Sequence, residues 1–103
     1  DCWENEPNIS AALLERAAVA TPHIAGYSRQ GKMRASIMAA DALRRYLGMA
    51  PTGAAESVHR VPETVSLAEA AASYDIAADT ALLRARTAEF EALRNGYRLR
   101  EEL

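Results

Sequence analysis

The residues from 28 to 47 constrain the fold of this chain more than any other part of the sequence. Apolar side chains recur there at intervals of three or four residues: Met33, Ile37, Ala40, Leu43 and Leu47. This spacing predicts one long amphipathic helix. Gly48 follows where a left-handed residue commonly closes a helix, and Pro51 lies just beyond it. We therefore expect a helix from Ser28 to Leu47 that ends before Gly48.

Shorter elements are expected before this helix. Asn8 is a candidate N-cap for a helix over residues 9–17, because its side chain can accept hydrogen bonds from free backbone N–H groups. The apolar run from Ala18 to Thr21, stopped by Pro22, is typical of a strand buried in a parallel sheet. The segment from Asp1 to Glu4 is interpreted as the end of another strand, whose earlier residues are expected upstream.

The residues after the long helix predict a linker followed by short elements. Residues 49–56 have the composition of a linker. Ser57–Val61 is a candidate strand, and we expect His59 within it to be structural, because it has no acidic or cysteine partner at metal-ligand spacing. No metal site is predicted.

The last third of the chain predicts a series of short helices. Ser66 and Glu69 have the spacing of a capping box, which predicts a helix from Leu67 to about Tyr74. Asp79 and Thr87 are candidate caps of two more helices. The first of these should run through Arg84, and the second should bury Phe90 and Leu93 and stop near Gly96.

Charge and composition argue against several classes of function. The formal net charge is only -2, from 12 basic and 14 acidic residues that are scattered along the chain, so we expect no nucleic acid and no anionic membrane as partner. Charged residues interrupt every apolar stretch, which argues against a membrane span. The single cysteine, Cys2, cannot form an internal disulfide and fits a cytoplasmic location.

Two short segments carry the residues that point to chemistry. His23 lies in Thr21-Pro22-His23-Ile24-Ala25-Gly26-Tyr27-Ser28, at a predicted junction of strand and helix. Such junctions face ligands in open parallel sheets, and the small residues Ala25 and Gly26 allow a bound molecule to approach the backbone. Glu6 follows the neighbouring predicted strand, so it is expected at the same edge of the sheet. Without this partner, His23 would be interpreted as structural and Glu6 as a solvated turn residue.

The two segments together resemble a known signature. Asp1-Cys2-Trp3-Glu4-Asn5-Glu6-Pro7, followed by the segment around His23, is similar in order and separation to the paired motifs that close the NAD domain of D-isomer-specific 2-hydroxyacid dehydrogenases. The resemblance implies an α/β parent protein of Rossmann type that uses NAD. This chain would then be mostly α-helical, with one or two short strands from the end of the NAD domain and a small α+β dimerisation domain.

The resemblance also implies roles for individual residues. His23 would be the catalytic acid/base and Glu6 its carboxylate partner. Asp1 would lie where the family holds the nicotinamide carboxamide, with Ala25 and Gly26 also at the cofactor. Tyr27 would line the substrate pocket, although a packing role is equally open.

After the long helix come Tyr74-Asp75-Ile76 with Asp79 and Leu83-Arg84, then Glu89-Phe90-Glu91 with Leu93-Arg94, Tyr97 and Arg100-Glu101. These stretches resemble the C-terminal dimerisation domain of one branch of this family, which acts on a phosphorylated 2-hydroxy acid. This likeness divides the chain into the end of the NAD-binding region at 1–48, a linker at 49–56 and a dimerisation domain at 57–103. It implies a homodimer through residues 57–103. Packing of these residues against the parent protein's own domains is the alternative.

The five glycines never approach the G-x-G-x-x-G spacing that cradles a cofactor pyrophosphate. We therefore expect the 103 residues alone to be inactive. Two alternatives stay open at this point. The parent protein oxidises another D-2-hydroxy acid, of glycerate or phosphoglycerate type, or the chain is a helical dimerisation module without catalytic function.

Overall fold

A computed structural model describes residues 1–58 and 62–103, and helices dominate this part of the chain. The α-helices are α1 (Ala11–Arg16), α2 (Arg29–Tyr46), α3 (Leu67–Ser73), α4 (Ile76–Ala85) and α5 (Phe90–Asn95), with short 3-10 helices at Ala54–Ser57 and Thr87–Glu89. The prediction of a mostly helical chain is confirmed. None of the helices in these residues has the length and apolarity to cross a membrane.

The predicted strands are not present in the part of the chain that the structure describes. Its single β-type pairing is an isolated parallel bridge between Ser28 and Arg100. Ala20 lies in the expected strand, yet its N–H donates to the hydroxyl of Thr80 at 3.1 Å, and not to a neighbouring strand. Without a partner strand the apolar run from Ala18 to Thr21 forms no ladder. The prediction of strands at Asp1–Glu4 and Ala18–Thr21 is therefore wrong for this chain.

The candidate strand at Ser57–Val61 falls partly outside the described residues. Ser57 ends a 3-10 helix and Val58 has a right-handed helical conformation. His59, Arg60 and Val61 lie outside the described residues, and the structural role expected for His59 stays a prediction.

The long helix is confirmed. Ser28 is its N-cap, and its hydroxyl oxygen accepts a hydrogen bond from the N–H of Gly31 at 2.9 Å. Gly48 has the expected left-handed conformation, with φ 72°. The predicted apolar face is largely exposed within this chain, at Met33, Leu43 and Leu47.

The predicted caps of α1 and α4 are wrong by a few residues. Ser10, and not Asn8, caps α1, because its hydroxyl accepts from the N–H of Leu13, while Asn8 closes a turn by donating to the carbonyl of Asn5. Asp75, and not Asp79, caps α4 by accepting from the N–H of Ala78. Asp79 lies inside the helix.

The remaining helix starts agree more closely with the sequence. The capping box of α3 is formed in both directions, since Glu69 N–H donates to the Ser66 hydroxyl and Ser66 N–H donates to the Glu69 carboxylate. Gly96 closes α5 as predicted. Thr87 is the first residue of the 3-10 helix that leads into α5 and not a cap, because its hydroxyl donates to the carbonyl of Leu83 and accepts no N–H at the helix start.

The chain forms two compact units, one of residues 1–26 with 74–98 and one of residues 27–73 with 99–103. The core of the first unit joins residues that are distant in sequence: Ile9, Leu14, Ala20, Leu83 and Phe90, with Trp3, Ala17 and Leu93 packed against them. Residues 74–98 thus complete the unit that contains Glu6 and His23. This division does not follow the predicted boundary at 49–56, and the domain organisation of the intact protein stays a prediction.

The second unit is held together by a buried carboxylate. Asp41 on α2 is 3% exposed and accepts hydrogen bonds from the N–H and hydroxyl of Thr52 and from the N–H of Gly53, at 2.7 to 3.0 Å. These hydrogen bonds hold the pKa of Asp41 below its ordinary value, with the Thr52 N–H as the largest cause. They fix residues 52 and 53 against α2.

Candidate active site

A tight turn over residues 5–8 fixes the position of Glu6. Asn5 has a left-handed backbone with φ 61°, and the N–H of Asn8 donates to its carbonyl at 2.7 Å. The N–H of Trp3 donates to Glu6 Oε1 at 2.8 Å. One carboxylate oxygen of Glu6 is therefore held by the backbone, which leaves the other oxygen for a second partner.

That second partner is His23, whose Nδ1 lies 2.8 Å from Glu6 Oε2. His23 has φ 58°, an uncommon conformation for a residue with a side chain, and Pro22 and Ile24 on either side are buried. The His23 side chain stays 41% exposed and that of Glu6 22% exposed. The structure thus brings together two residues that are 17 positions apart and leaves the ring accessible.

The electrostatics of the pair favour an ionised carboxylate. The hydrogen bond from His23 lowers the pKa of Glu6 from its ordinary value of 4.5, and the hydrogen bond from the Trp3 N–H adds to this effect, although burial partly opposes it. An ionised carboxylate accepts hydrogen bonds only, so Nδ1 of His23 must be the nitrogen that carries the proton. In the neutral ring, Nε2 is then the atom with a free lone pair, as a general base requires.

Asp1 binds the turn that carries His23. Its Oδ1 accepts hydrogen bonds from the hydroxyl of Thr21 at 3.0 Å, the N–H of Ile24 at 2.7 Å and the N–H of Ala25 at 3.0 Å. The two N–H groups directly follow His23, so the carboxylate stabilises the turn in which His23 has its left-handed backbone. Within the described part of the chain, the contact of Asp1 Oδ2 is with the Cys2 thiol, at 3.9 Å.

The donor pattern on Asp1 fits the amide of a nicotinamide ring. Three donors occupy Oδ1, whereas Oδ2 retains acceptor capacity for an amide N–H. Ala25 and Gly26 are exposed beside this turn, and a Cβ added at Gly26 would meet no atom within 4 Å. Gly26 therefore leaves open space next to the backbone. No group of three His, Cys, Asp or Glu side chains that could hold a metal is found within residues 1–58 and 62–103.

Tyr27 belongs to the second compact unit. Its ring is half-buried, and the ammonium group of Lys32 lies 3.8 Å from the ring centre. This geometry is that of a cation–π contact. The predicted part of Tyr27 in substrate binding stays a prediction.

Two residues that the sequence did not single out connect the segments of the site. The indole N–H of Trp3 donates to the carbonyl of Thr21 at 2.9 Å, and the hydroxyl of Thr21 donates to Asp1. Thr21 is 7% exposed. Both residues lie within the two motifs, but nothing in their spacing indicates that they contact each other.

No family model matches the chain. Comparison with curated proteins finds relatives that are named as dehydrogenases. The chain is 38% identical over 106 residues to a protein of Bacteroides fragilis, which includes 99% of this chain and 30% of the relative. It is 38% identical over 120 residues to one of Teredinibacter turnerae, which includes 99% of this chain and 32% of the relative. A protein of Coxiella burnetii is 45% identical over 67 residues, or 65% of this chain and 18% of the relative.

Similarity over nearly its whole length makes this chain a homologue of dehydrogenases. All three relatives are named erythronate-4-phosphate dehydrogenase, and the chain is homologous to this group of enzymes. The predicted resemblance is thereby confirmed. The chain spans less than a third of the length of these relatives.

Proposed function

We propose that the protein to which this chain belongs is an NAD-dependent dehydrogenase that oxidises 4-phospho-D-erythronate at C2 to 2-oxo-3-hydroxy-4-phosphobutanoate, a step of pyridoxal phosphate biosynthesis. The observation that carries the proposal is the 2.8 Å contact between Glu6 and His23, in a chain homologous to erythronate-4-phosphate dehydrogenases. His23 and Glu6 are the proposed acid/base pair, and Asp1, Ala25 and Gly26 form the proposed cofactor side of the site.

The chemistry follows from the protonation state of the pair. Oxidation of a secondary alcohol removes a hydride from carbon and a proton from oxygen. When bound, the nicotinamide supplies the hydride acceptor. His23 Nε2 takes the hydroxyl proton, because Nδ1 already carries one that is donated to Glu6. The imidazolium that results lies against an ionised carboxylate, which stabilises its charge.

The decisive test uses the full-length protein. It should reduce NAD with 4-phospho-D-erythronate, and His23→Asn should lower kcat by about 10²- to 10⁴-fold, the usual contribution of a general base. Asparagine tolerates the left-handed backbone of residue 23, so the turn should persist. His59→Asn changes the chain's other histidine and is the matched control. Turnover of His23→Asn at the rate of this control would refute the proposed mechanism.

The same assay separates the proposed substrate from its alternatives. Erythronate without phosphate, glycerate and 3-phosphoglycerate are compared with 4-phospho-D-erythronate by kcat/KM. The proposal expects 4-phospho-D-erythronate to be preferred over all three. A preference for glycerate or phosphoglycerate would retain the enzyme class and change the substrate. Absence of turnover with every substrate, in a folded dimer, would favour a helical dimerisation module.

We also propose that residues 57–103 contribute to a homodimer. Large apolar side chains in this region are exposed within the chain, with Leu67 90% exposed on α3. Truncation is a poor test, because Leu83 and Phe90 belong to the core around the active-site turn. Leu67→Glu in the full-length protein should instead shift the mass measured by sedimentation toward the monomer. Ala72→Glu, at an exposed position on a different face of α3, is its control. A dimer as stable as that of the control would contradict a role of Leu67 in the interface.

A further inference from the structure

The hydrogen bonds of Asp1 are divided unequally between its two oxygens. Thr21, Ile24 and Ala25 all donate to Oδ1, at 2.7 to 3.0 Å, while among residues 1–58 and 62–103 Oδ2 is contacted only by the distant thiol of Cys2. Two of the three donors are backbone N–H groups that follow His23 and therefore hold the turn. The hydroxyl of Thr21 is the one side-chain donor among them.

Thr21 is itself fixed on two sides. It is 7% exposed, and its carbonyl accepts the indole N–H of Trp3 at 2.9 Å. The hydrogen bond from Trp3 fixes the backbone of Thr21, and burial restricts the rotation of its side chain, so the hydroxyl has little freedom to point away from Asp1. The two oxygens of an ionised carboxylate are equivalent, so a half turn about the last bond of Asp1 reproduces the same arrangement. Three donors that converge on one oxygen disfavour the angles in between, since an intermediate angle leaves at least one of them unpaired.

We infer that Thr21 is a positioning residue for the cofactor: Trp3 holds its carbonyl, and its hydroxyl fixes the Asp1 carboxylate so that the other oxygen, Oδ2, accepts the nicotinamide amide. This inference rests on the proposed function, because it assumes that Asp1 contacts the carboxamide. The same carboxylate binds the turn of His23, so Thr21 connects the orientation of the cofactor amide with the position of the base. Thr21 itself makes no contact with the reacting atoms.

The test compares equilibrium binding of two cofactors to the full-length protein by calorimetry. One is NAD, and the other is the analogue in which an acetyl group replaces the carboxamide and therefore has no N–H to donate. Loss of a hydrogen bond to a charged acceptor should weaken binding of the analogue to the wild type by about tenfold or more. Thr21→Val keeps the shape of the side chain and removes the hydroxyl. It should bind NAD more weakly and reduce the discrimination between the cofactors to about threefold or less.

Two further variants make the result specific. Thr21→Ser retains the hydroxyl and should restore the discrimination of the wild type. Thr87→Val removes a hydroxyl of the same compact unit that donates to the carbonyl of Leu83, away from Asp1, and should leave the discrimination unchanged. If Thr21→Val does not fold, Thr21→Ala removes the same hydroxyl with less bulk, and the same loss is expected.

The outcomes distinguish this inference from the proposed function. If the wild type binds both cofactors equally, Asp1 does not accept a hydrogen bond from the carboxamide. That result refutes this part of the proposed function and the inference with it. If the wild type prefers NAD over the analogue, and the Thr21 variants without the hydroxyl keep the same ratio of the two Kd values, the inference alone is refuted. This second result is expected if Thr21 only supports the fold, because its substitution would then weaken the binding of both cofactors by the same factor.

Discussion

Glu6→Gln probes the acid/base pair without removing the histidine. Glutamine has nearly the shape of glutamate, and its Oε1 can still accept the N–H of Trp3, which lies 2.8 Å from Glu6 Oε1. The turn over residues 5–8 should therefore persist. The amide nitrogen would then face His23 Nδ1 in place of the carboxylate oxygen that is now 2.8 Å away.

The substitution changes both the charge and the tautomer of the ring. A hydrogen bond to a charged group contributes about 1.5 to 3 kcal/mol, and the 41% exposure of the His23 side chain favours the lower half of this range. About 1.5 to 2 kcal/mol of lost imidazolium stabilisation corresponds to a fall in kcat of about 10- to 30-fold. In addition, the glutamine N–H donates to Nδ1 and moves the ring proton to Nε2, where it blocks proton acceptance. The fall in kcat should therefore be about tenfold at least.

The assay is NAD reduction by the full-length protein with 4-phospho-D-erythronate, with kcat and the Kd of NAD measured separately. The Kd should stay close to that of the wild type, because the contacts of Asp1 are unchanged. Glu4→Gln removes an exposed carboxylate two positions earlier and is the matched control. If Glu6→Gln had the kcat of this control while remaining folded, the pair would have no catalytic function and the argument from its geometry would fail.

The remaining predictions concern stability. Phe90 is 1% exposed in the core of the first unit, so Phe90→Ala should reduce the free energy of unfolding, measured by urea titration, by about 3 to 5 kcal/mol. Leu82→Ala, at a 42% exposed position, is the control and should reduce it far less. Equal losses for the two variants would contradict the core described here. Ser66→Ala removes the cap of α3 and should destabilise that helix by about 1 kcal/mol. The loss should be visible as faster hydrogen exchange of the α3 amides, with Ser73→Ala as the control. Unchanged exchange in Ser66→Ala would show that the capping box does not stabilise the helix. Because the folded-state pKa of Glu6 lies below its ordinary value of 4.5, its contribution to stability is present above pH 4.5 and is lost as the pH falls through the lowered pKa. Glu6→Gln should therefore weaken the pH dependence of unfolding below pH 4.5, and an unaltered dependence would contradict the pairing.

Local sequence patterns predicted the helices well and the strands poorly. The long helix depends on side-chain spacing, on Ser28 at its start and on Gly48 at its end, all of which are local. The caps of α1 and α4 were wrong because Asn8 and Ser10, or Asp75 and Asp79, are equally able to accept a backbone N–H. The choice between them depends on where the chain turns. Strands need a neighbouring strand, which is a non-local requirement, and Ala20 donates instead to Thr80 on α4.

The sequence by itself determined the helical character of the chain, its resemblance to dehydrogenases and the two motifs that carry Glu6, His23 and Asp1. Spacing and residue type are sufficient for these conclusions, since they depend on local periodicity and on a recognisable order of residues. Only the tertiary structure decided that residues 74–98 complete the core beneath the motifs, and that Trp3 and Thr21 connect them. The physical reason is that burial and hydrogen bonding join residues that are far apart in sequence, such as Ala20 and Thr80, 60 positions apart, and no local pattern records which donor finds which acceptor.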